Sequence, residues 1–346
     1  MRALSVLASL LLLLSTGCGS PKLIPVRDGP RLVTSLSAEW PASGPARQAV
    51  FSHDGRVLAA SDASGRITLR ETRGWKVIGH LQHPSGATSL AFGNDGSTLF
   101  SGGYDGTVRT WDVSRLAQVG VLKGARGTIW TLDISPDGLR VAAAGEDAAI
   151  HIWTLDRPAE PATLRGHERN IWKVRFSPDG RHLASGSFDQ MARLWDAANG
   201  RSLKTLRGHE QAVVGLAFSP DGKLLATSGD DSTIRLWRTA DGTALRTVNN
   251  GNHTYDVEFS PDGKWLASVG RARGALGTFW HQLTGSGGAA MPVHIWRVSD
   301  MALVSTLAQP DDALNTAFSR DGRWLVTSGE DKQFRLWRLR EISGRQ

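Results

Sequence analysis

The feature that most constrains this chain is a short turn motif that recurs seven times at nearly constant spacing. The copies read SHDG, GNDG, SPDG four times and SRDG, so each ends in Asp-Gly. Their glycines are Gly55, Gly96, Gly138, Gly180, Gly222, Gly263 and Gly322, with spacings of 41 or 42 residues and one of 59 before the last. A period of this length indicates similar structural units packed side by side.

Each unit is predicted to be a small antiparallel sheet. The turn lies between two short apolar runs, such as Val213 to Phe218 and Leu224 to Ala226, and a third run ends near a tryptophan. Asp caps such a turn through its side chain, and Gly tolerates its positive φ. Short apolar runs punctuated in this way are typical of antiparallel meanders. The closing tryptophans are Trp111, Trp153, Trp195, Trp237, Trp296 and Trp337, with Arg70 in the corresponding place of the first unit.

The period, the Gly-His before the first strand and the Trp-Asp that closes the third strand together resemble the WD-repeat family, over nearly the whole chain after residue 30. The resemblance implies an all-β fold, a seven-bladed β-propeller of four-stranded antiparallel blades. The last unit has no fourth strand of its own. Leu32 to Leu36 resembles Leu303 to Leu307, the fourth strand of unit six. We therefore expect the N-terminal strand to complete the last blade and close the ring.

The N-terminal segment is predicted to be a targeting signal rather than part of the propeller. A positive start, Met1-Arg2, precedes the apolar run from Ala3 to Leu14, which is too short to span a bilayer as a helix and indicates a secretory signal. Residues 14–18, LSTGC, resemble the lipobox of bacterial lipoproteins, although Ser15 stands where leucine is usual. The resemblance implies that Cys18, the only cysteine, is acylated after the signal is cut.

These patterns divide the chain into four parts. We expect a lipoprotein signal peptide at 1–17, a lipidated tether at 18–30, the propeller at 31–341 with an insertion at 271–292, and a tail at 342–346. The lipobox places the protein at a bacterial cell membrane, lipid-anchored and facing the periplasm or exterior. Several acyl chains anchor a protein stably, whereas one binds only marginally. Inner and outer membrane both stay open, as does a plain secreted protein.

Three units carry a Ser/Thr, a His and an Asp, a set that invites comparison with hydrolases. The resemblance implies instead a structural network in which Asp orients His, His meets the hydroxyl, and the closing Trp ends the chain of hydrogen bonds. Ala125, Ala143 and Gln309 break this pattern in units three and seven, which we expect to depend more on packing. The predicted networks are His83, Ser101, Asp105 and Trp111; His167, Ser185, Asp189 and Trp195; His209, Thr227, Asp231 and Trp237.

Aromatic residues near the predicted rim are candidates for partner binding, because Trp and Tyr dominate interface energetics. The insertion contains three such residues flanked by glycines, and long loops in compact folds are usually functional or disordered. Packing between blades is the alternative for the rim residues, and a local lid is the alternative for the insertion. The candidates are Tyr104, Trp130, Trp172, Phe188, Tyr255, Phe279, Trp280 and His281.

The function predicted from these features is a non-catalytic scaffold that binds a protein or peptide partner and reaches the membrane through its lipid. A net charge of +7 from 40 basic and 33 acidic residues is too dispersed to indicate nucleic-acid binding. No catalytic constellation, metal-ligand spacing or cofactor motif is present in the sequence. The alternatives are a propeller enzyme using Asp133, Asp256, Glu258, Lys173 or Arg175 in the central channel, and a purely structural spacer.

Overall fold

A computed structural model describes residues 31–157, 160–271 and 291–342. These residues form seven four-stranded antiparallel sheets, which confirms the predicted seven-bladed propeller. The first three blades contain β2 (Ala46–Phe51), β3 (Val57–Asp62), β4 (Arg66–Glu71) and β5 (Val77–Gln82); β6 (Ala87–Phe92), β7 (Thr98–Gly103), β8 (Val108–Asp112) and β9 (Ala117–Leu122); β10 (Ile129–Ile134), β11 (Arg140–Gly145), β12 (Ala149–Thr154) and β13 (Ala162–Arg165).

The remaining strands follow the same order from the innermost outward. Blades four to six contain β14 (Ile171–Phe176), β15 (His182–Ser187), β16 (Ala192–Asp196) and β17 (Ser202–Leu206); β18 (Val213–Phe218), β19 (Leu224–Gly229), β20 (Thr233–Arg238) and β21 (Ala244–Asn249); β22 (His253–Phe259), β23 (Trp265–Arg271), β24 (Val293–Arg297) and β25 (Ala302–Leu307). Blade seven contains β26 (Ala313–Phe318), β27 (Trp324–Gly329), β28 (Gln333–Ile342) and β1 (Arg31–Pro41).

The ring is closed by β1, as the sequence predicts. This strand pairs with β28 from Arg31 opposite Ile342 to Pro41 opposite Gln333. It also reaches the neighbouring sixth blade, where the hydroxyls of Thr34 and Ser305 lie 3.1 Å apart. The first and last strands of the chain therefore complete one sheet, and β28 has no unpaired edge.

The Asp-Gly turns join the two innermost strands of every blade. In the fourth blade Ser177 Oγ donates to Asp179 Oδ1 at 2.5 Å, and the Arg181 amide donates to the same oxygen at 3.0 Å. Gly180 has a φ of 68°, a left-handed conformation that favours glycine. We call the end of the ring that carries these turns the lower face. The upper face carries the loops between the second and third strands and the connections from blade to blade.

The core consists of separate apolar layers between neighbouring blades. Between blades three and four, the alanines Ala142 and Ala144 face Leu183 and Trp195, all of them buried. Small side chains on one blade make room for the large indole on the next, which is how flat sheets stack radially. Within the described residues, no helix is long and apolar enough to cross a bilayer.

Candidate functional site

The innermost strand of each blade contains a bulge near its upper end, and the bulged residue is skipped in the pairing with the second strand. A bulge re-aims its side chain. Repeated around the ring, these bulges place seven side chains at the upper mouth of the central channel. They are Arg47, Thr88, Trp130, Trp172, Val214, Tyr255 and Leu314.

Five of the predicted rim aromatics contact one another at this mouth. The rings of Trp130 and Trp172 stack with centroids 4.9 Å apart. Trp172 also meets Phe188 at 5.4 Å and Tyr255 at 5.7 Å, in edge-to-face geometry. Tyr104 meets Trp130 edge-on at 5.8 Å. We call Tyr104, Trp130, Trp172, Phe188 and Tyr255 the upper aromatic cluster.

The cluster spans the mouth rather than following one sector of the rim. Trp172 belongs to blade four and Tyr255 to blade six, while blade five contributes only the small, buried Val214 between them. Burial raises the pKa of Tyr255 to about 12, and the Arg271 guanidinium lies 5.0 Å from the centre of its ring. Beneath the cluster the channel contains a cavity of only about 60 Å³. The aromatic side chains therefore nearly close the upper end of the channel.

The cluster is nevertheless partly exposed to solvent. Tyr104 is 39% exposed, and Trp130, Trp172, Phe188 and Tyr255 are partly exposed. Tyr104 and Phe188 lie in the loops between the second and third strands, and the other three lie on innermost strands. A flat aromatic surface of this kind offers a large contact area at small conformational cost.

The Asp-His-hydroxyl-Trp network is complete in blades four and five. In blade four His167 Nδ1 lies 2.7 Å from Asp189, and His167 Nε2 lies 2.7 Å from Ser185 Oγ, which accepts a hydrogen bond from the Trp195 indole at 2.8 Å. In blade five the same bonds join Asp231, His209, Thr227 and Trp237. Burial pushes the pKa of Asp231 up, but the hydrogen bond and charge of His209 outweigh it and lower that pKa overall. The histidine, hydroxyl and tryptophan residues of both networks are buried.

Blade two departs from the predicted network. The Trp111 indole donates to Ser101 Oγ at 2.7 Å, but His83 Nε2 is buried without a hydrogen-bond partner among the described residues. His83 Nδ1 lies 3.3 Å from Ser85 Oγ, and Asp105 accepts from Thr107 Oγ1 at 2.7 Å and from Arg109 at 2.9 Å. Burial accordingly lowers the pKa of His83 to about 4. The expectation of a third complete network is corrected to a Trp111–Ser101 pair with a neutral histidine beside it.

Other blades replace the network with different polar bonds. In blade six Asn250 takes the histidine position and accepts from Ser268 Oγ at 2.8 Å, while Ser268 accepts from the Trp296 indole at 2.9 Å. In blade seven the Thr327 hydroxyl bonds to Gln309 Oε1 at 3.3 Å, so the predicted loss of the network there is only partial. Sequence reasoning missed Asn250, although its position just before an innermost strand is the signal that identifies it.

One step below the bulges, a ring of mostly polar side chains crosses the channel. Several of these accept a hydrogen bond from the backbone of the next blade, such as Gln48 from the Leu90 amide at 2.7 Å and Ser89 from the Leu132 amide at 3.0 Å. We call this ring the septum, because Gln48, Asp256 and Asn315 border the cavities on both sides of it. Its members are Gln48, Ser89, Thr131, Lys173, Gly215, Asp256 and Asn315.

The charged residues that the sequence places on innermost strands do line the channel. Lys173 Nζ lies 2.8 Å from Asp256 Oδ1 within the septum. Asp133, Arg175 and Glu258 border a second cavity of about 520 Å³ on the lower side. Burial, together with the nearby Asp256, raises the pKa of Glu258 to about 8. Within the ranges given above, no group of three or more His, Cys, Asp or Glu side chains is arranged to hold a metal ion.

Some predicted site residues lie outside the described ranges. These are Cys18 and the insertion residues Phe279, Trp280 and His281. Arg271, the first residue of the predicted insertion, ends β23, forms an ion pair with Asp230 at 3.1 Å and lies over the ring of Tyr255. The insertion therefore begins beside the upper aromatic cluster.

A comparison with known protein families agrees with this geometry. The family described as WD domain, G-beta repeat matches five stretches of the chain, which together make up more than half of it. The matched residues are 75–112, 116–154, 159–196, 200–238 and 301–338. Each match ends at or directly after the tryptophan that closes the third strand of a blade, so the sequence period and the blades coincide.

Proposed function

Because this chain belongs to the WD40-repeat family, whose propellers typically serve as protein–protein interaction scaffolds, we propose that it is a non-catalytic scaffold of the bacterial cell envelope. In this proposal a lipid on Cys18 holds the protein at the membrane, and the upper face captures a protein or peptide partner. The observation that carries the proposal is the upper aromatic cluster, in which Trp172 alone contacts three other aromatic rings.

The orientation of the ring supports this division of roles. The strand β1 begins at Arg31 opposite Ile342, where β28 ends on the lower face. A lipidated segment preceding Arg31 therefore leaves from the lower face. The upper aromatic cluster lies at the opposite end of the channel and points away from the membrane, where a partner can reach it.

The cluster also has the chemistry of a contact surface. Aromatic anchors at the centre of an interface account for most of its binding energy, and the polar groups around them supply specificity. Around the cluster lie the ion pairs Arg47–Glu330 at 3.3 Å and Arg109–Asp105 at 2.9 Å, both partly exposed. An extended peptide laid across the mouth would meet aromatic faces at the centre and charges at the rim.

Crosslinking from native membranes tests the capture of a partner. We expect the full chain to recover a specific protein, and expect replacement of Tyr104 and Phe188 by Ala to abolish that recovery while thermal unfolding changes little. Val119 and Leu245, exposed on outer strands, provide the matched control variants V119A and L245A. If Y104A, F188A, V119A and L245A all lose the crosslinked partner equally, or if none of them loses it, the proposed contact surface is contradicted.

Fractionation tests the anchor separately. Cys18→Ala should move the protein from the membrane fraction to the soluble fraction and abolish incorporation of a labelled fatty acid. A variant that stays in the membrane without label would show that something other than a lipid holds it there. The enzyme alternative would gain support from a metal or cofactor bound tightly to the purified wild-type chain.

A further inference from the structure

The lower part of the channel is a pocket with one open end. Its volume of about 520 Å³ lies within the range of small-molecule sites, roughly 300–1,000 Å³. The septum and the upper aromatic cluster obstruct it from above. On the lower face its mouth is bordered by the residue that precedes each Asp-Gly, including Pro136, Pro178, Pro220 and Pro261. A ligand would enter between these rigid turns.

The wall of this pocket is apolar in some blades and carries ionisable side chains in others. The side chains two residues beyond the septum on the innermost strands face the same way as the septum, because strands alternate. In blades one, two, five and seven they are small and apolar: Val50, Ala91, Ala217 and Ala317. In blades three, four and six they are Asp133, Arg175 and Glu258. The consecutive blades seven, one and two therefore form an apolar side of the pocket, whereas the other side carries every ionisable group at this level, with Ala217 between Arg175 and Glu258.

Arg175 is the charged group on this wall that has no oppositely charged partner among the described residues. Its guanidinium donates to the Val174 carbonyl at 3.0 Å, and among the described residues it forms no ion pair with a carboxylate. A guanidinium has five N–H donors, so most of its hydrogen-bonding capacity is directed at the cavity. A partly buried cation in this state favours an anionic ligand, which it can bind with two parallel hydrogen bonds.

The two carboxyl groups on the wall do not cancel this preference. Asp133 accepts from the Phe176 amide at 2.7 Å, and burial raises its pKa despite the opposing charge of Arg175. Glu258 accepts only a long bond of 3.4 Å from the Phe318 amide. Because burial and Asp256 raise its pKa to about 8, with Arg175 and Lys173 acting in the opposite direction, Glu258 carries a proton at neutral pH. It can therefore donate a hydrogen bond to an anion.

We propose that the lower channel is a binding site for a small organic acid, with the carboxylate on Arg175 and Glu258 and a short apolar body against Val50, Ala91 and Ala317. This site is separate from the partner surface on the upper face. A ligand of the lower channel requires the closed ring, so it would bind only the folded state and stabilise it by mass action.

The probes are three molecules with six-carbon chains and different head groups: hexanoate, its neutral isostere hexanamide, and the cation hexylammonium. Calorimetry and saturation-transfer NMR on the purified full-length chain at pH 7 should show hexanoate binding at least tenfold more tightly than the other two. Arg175→Gln should remove this preference. Arg175→Lys, which keeps the charge but loses the planar fork, should retain a weakened preference and serves if R175Q fails to fold.

Two further variants locate the site. Ala217→Leu fills the lower channel between Arg175 and Glu258 and should abolish hexanoate binding, whereas Tyr104→Ala on the upper face should leave it unchanged. Equal binding of the three probes, a preference for hexylammonium, or full hexanoate binding by a folded R175Q chain would overturn the proposal. Loss of hexanoate binding in Y104A but not in A217L would place the acid at the upper mouth and overturn it as well.

Discussion

Lys173 and Asp256 form an ion pair of 2.8 Å across the channel, although they belong to blades four and six, which are not neighbours. Blade five lies between them, and its septum residue is Gly215. The Asp256 carboxylate also accepts from Asn315 of blade seven at 2.9 Å. Blades four, six and seven are thus linked at one level of the channel, and the link bypasses blade five, which has no side chain there.

Gly215→Ala should destabilise the ring. A Cβ at this position would lie 2.2 Å from Ser228 Oγ and 3.0 Å from the backbone of Asp256, so the sixth blade would have to move. We expect a loss of about 2 kcal/mol in the free energy of unfolding, as for other overpacked sites. The control is Gly120→Ala on β9, where the nearest contacts are ordinary ones of 3.6 Å to Thr110. Denaturant unfolding of both variants measures the difference, and equal stabilities would contradict the steric argument.

Removing the network hydroxyl should have different effects in blades four and two. Ser185 bonds to both His167 and Trp195, whereas Ser101 bonds only to Trp111. Ser185→Ala leaves two buried groups without partners, and Ser101→Ala leaves one. At about 1–3 kcal/mol for each orphaned group, S185A should be the more destabilising by at least 1 kcal/mol. If S101A unfolds at the same denaturant concentration as S185A, His83 shares the hydroxyl in solution.

Glu258→Gln should stabilise the protein at alkaline pH. The pKa of Glu258 is about 8 in the folded chain, above its ordinary value of 4.5, so the folded state holds a proton that the unfolded state has lost. The wild-type chain therefore loses stability as pH rises from about 4.5 to 8, and the amide does not. We expect the Tm of E258Q to exceed that of wild type by about 2–4 °C at pH 8.5. The difference should vanish near pH 4.5, and a difference independent of pH would contradict the assignment.

Replacement of His83 should change the acid sensitivity in the opposite direction. Burial lowers its pKa from 6.5 to about 4, so between these values the unfolded chain takes up a proton that the folded chain does not. The wild-type protein therefore loses stability through His83 as pH falls from 6.5 to 4. We expect the Tm of His83→Asn relative to wild type to rise by about 2–4 °C between pH 7 and pH 4.5. A constant offset over this range would show that folding does not lower the pKa of His83.

The architecture could be predicted from the sequence because its determinants are local and repeated. Each Asp-Gly turn specifies its own hairpin, as at Asp179 and Gly180, and the seven copies specify the number of blades. Closure of the ring by β1 could also be predicted, because Leu32 to Leu36 resembles the fourth strand of another blade. These features depend on neighbours in the chain or on comparison between repeats.

The contacts across the channel could not be predicted in the same way. Trp172 meets Tyr255, and Lys173 meets Asp256, only because the closed ring brings blades four and six to opposite sides of one narrow space. No sequence period encodes that distance. The network of blade two differs for a related reason: Asp105 accepts from Arg109, and His83 Nδ1 lies beside Ser85 Oγ at 3.3 Å instead of bonding to Asp105. Which partner wins is decided by packing rather than by the motif.

The pairing of β1 with β28 also has a consequence for biosynthesis. The strand made first waits for its partner until the other six blades have been synthesised, so a chain stopped before Gln333 leaves β27 with an unsatisfied edge and β1 with nothing to pair with. The ring can then close only after the whole chain has been synthesised. A quality-control protease that recognises unpaired strands would remove truncated products and spare the finished propeller.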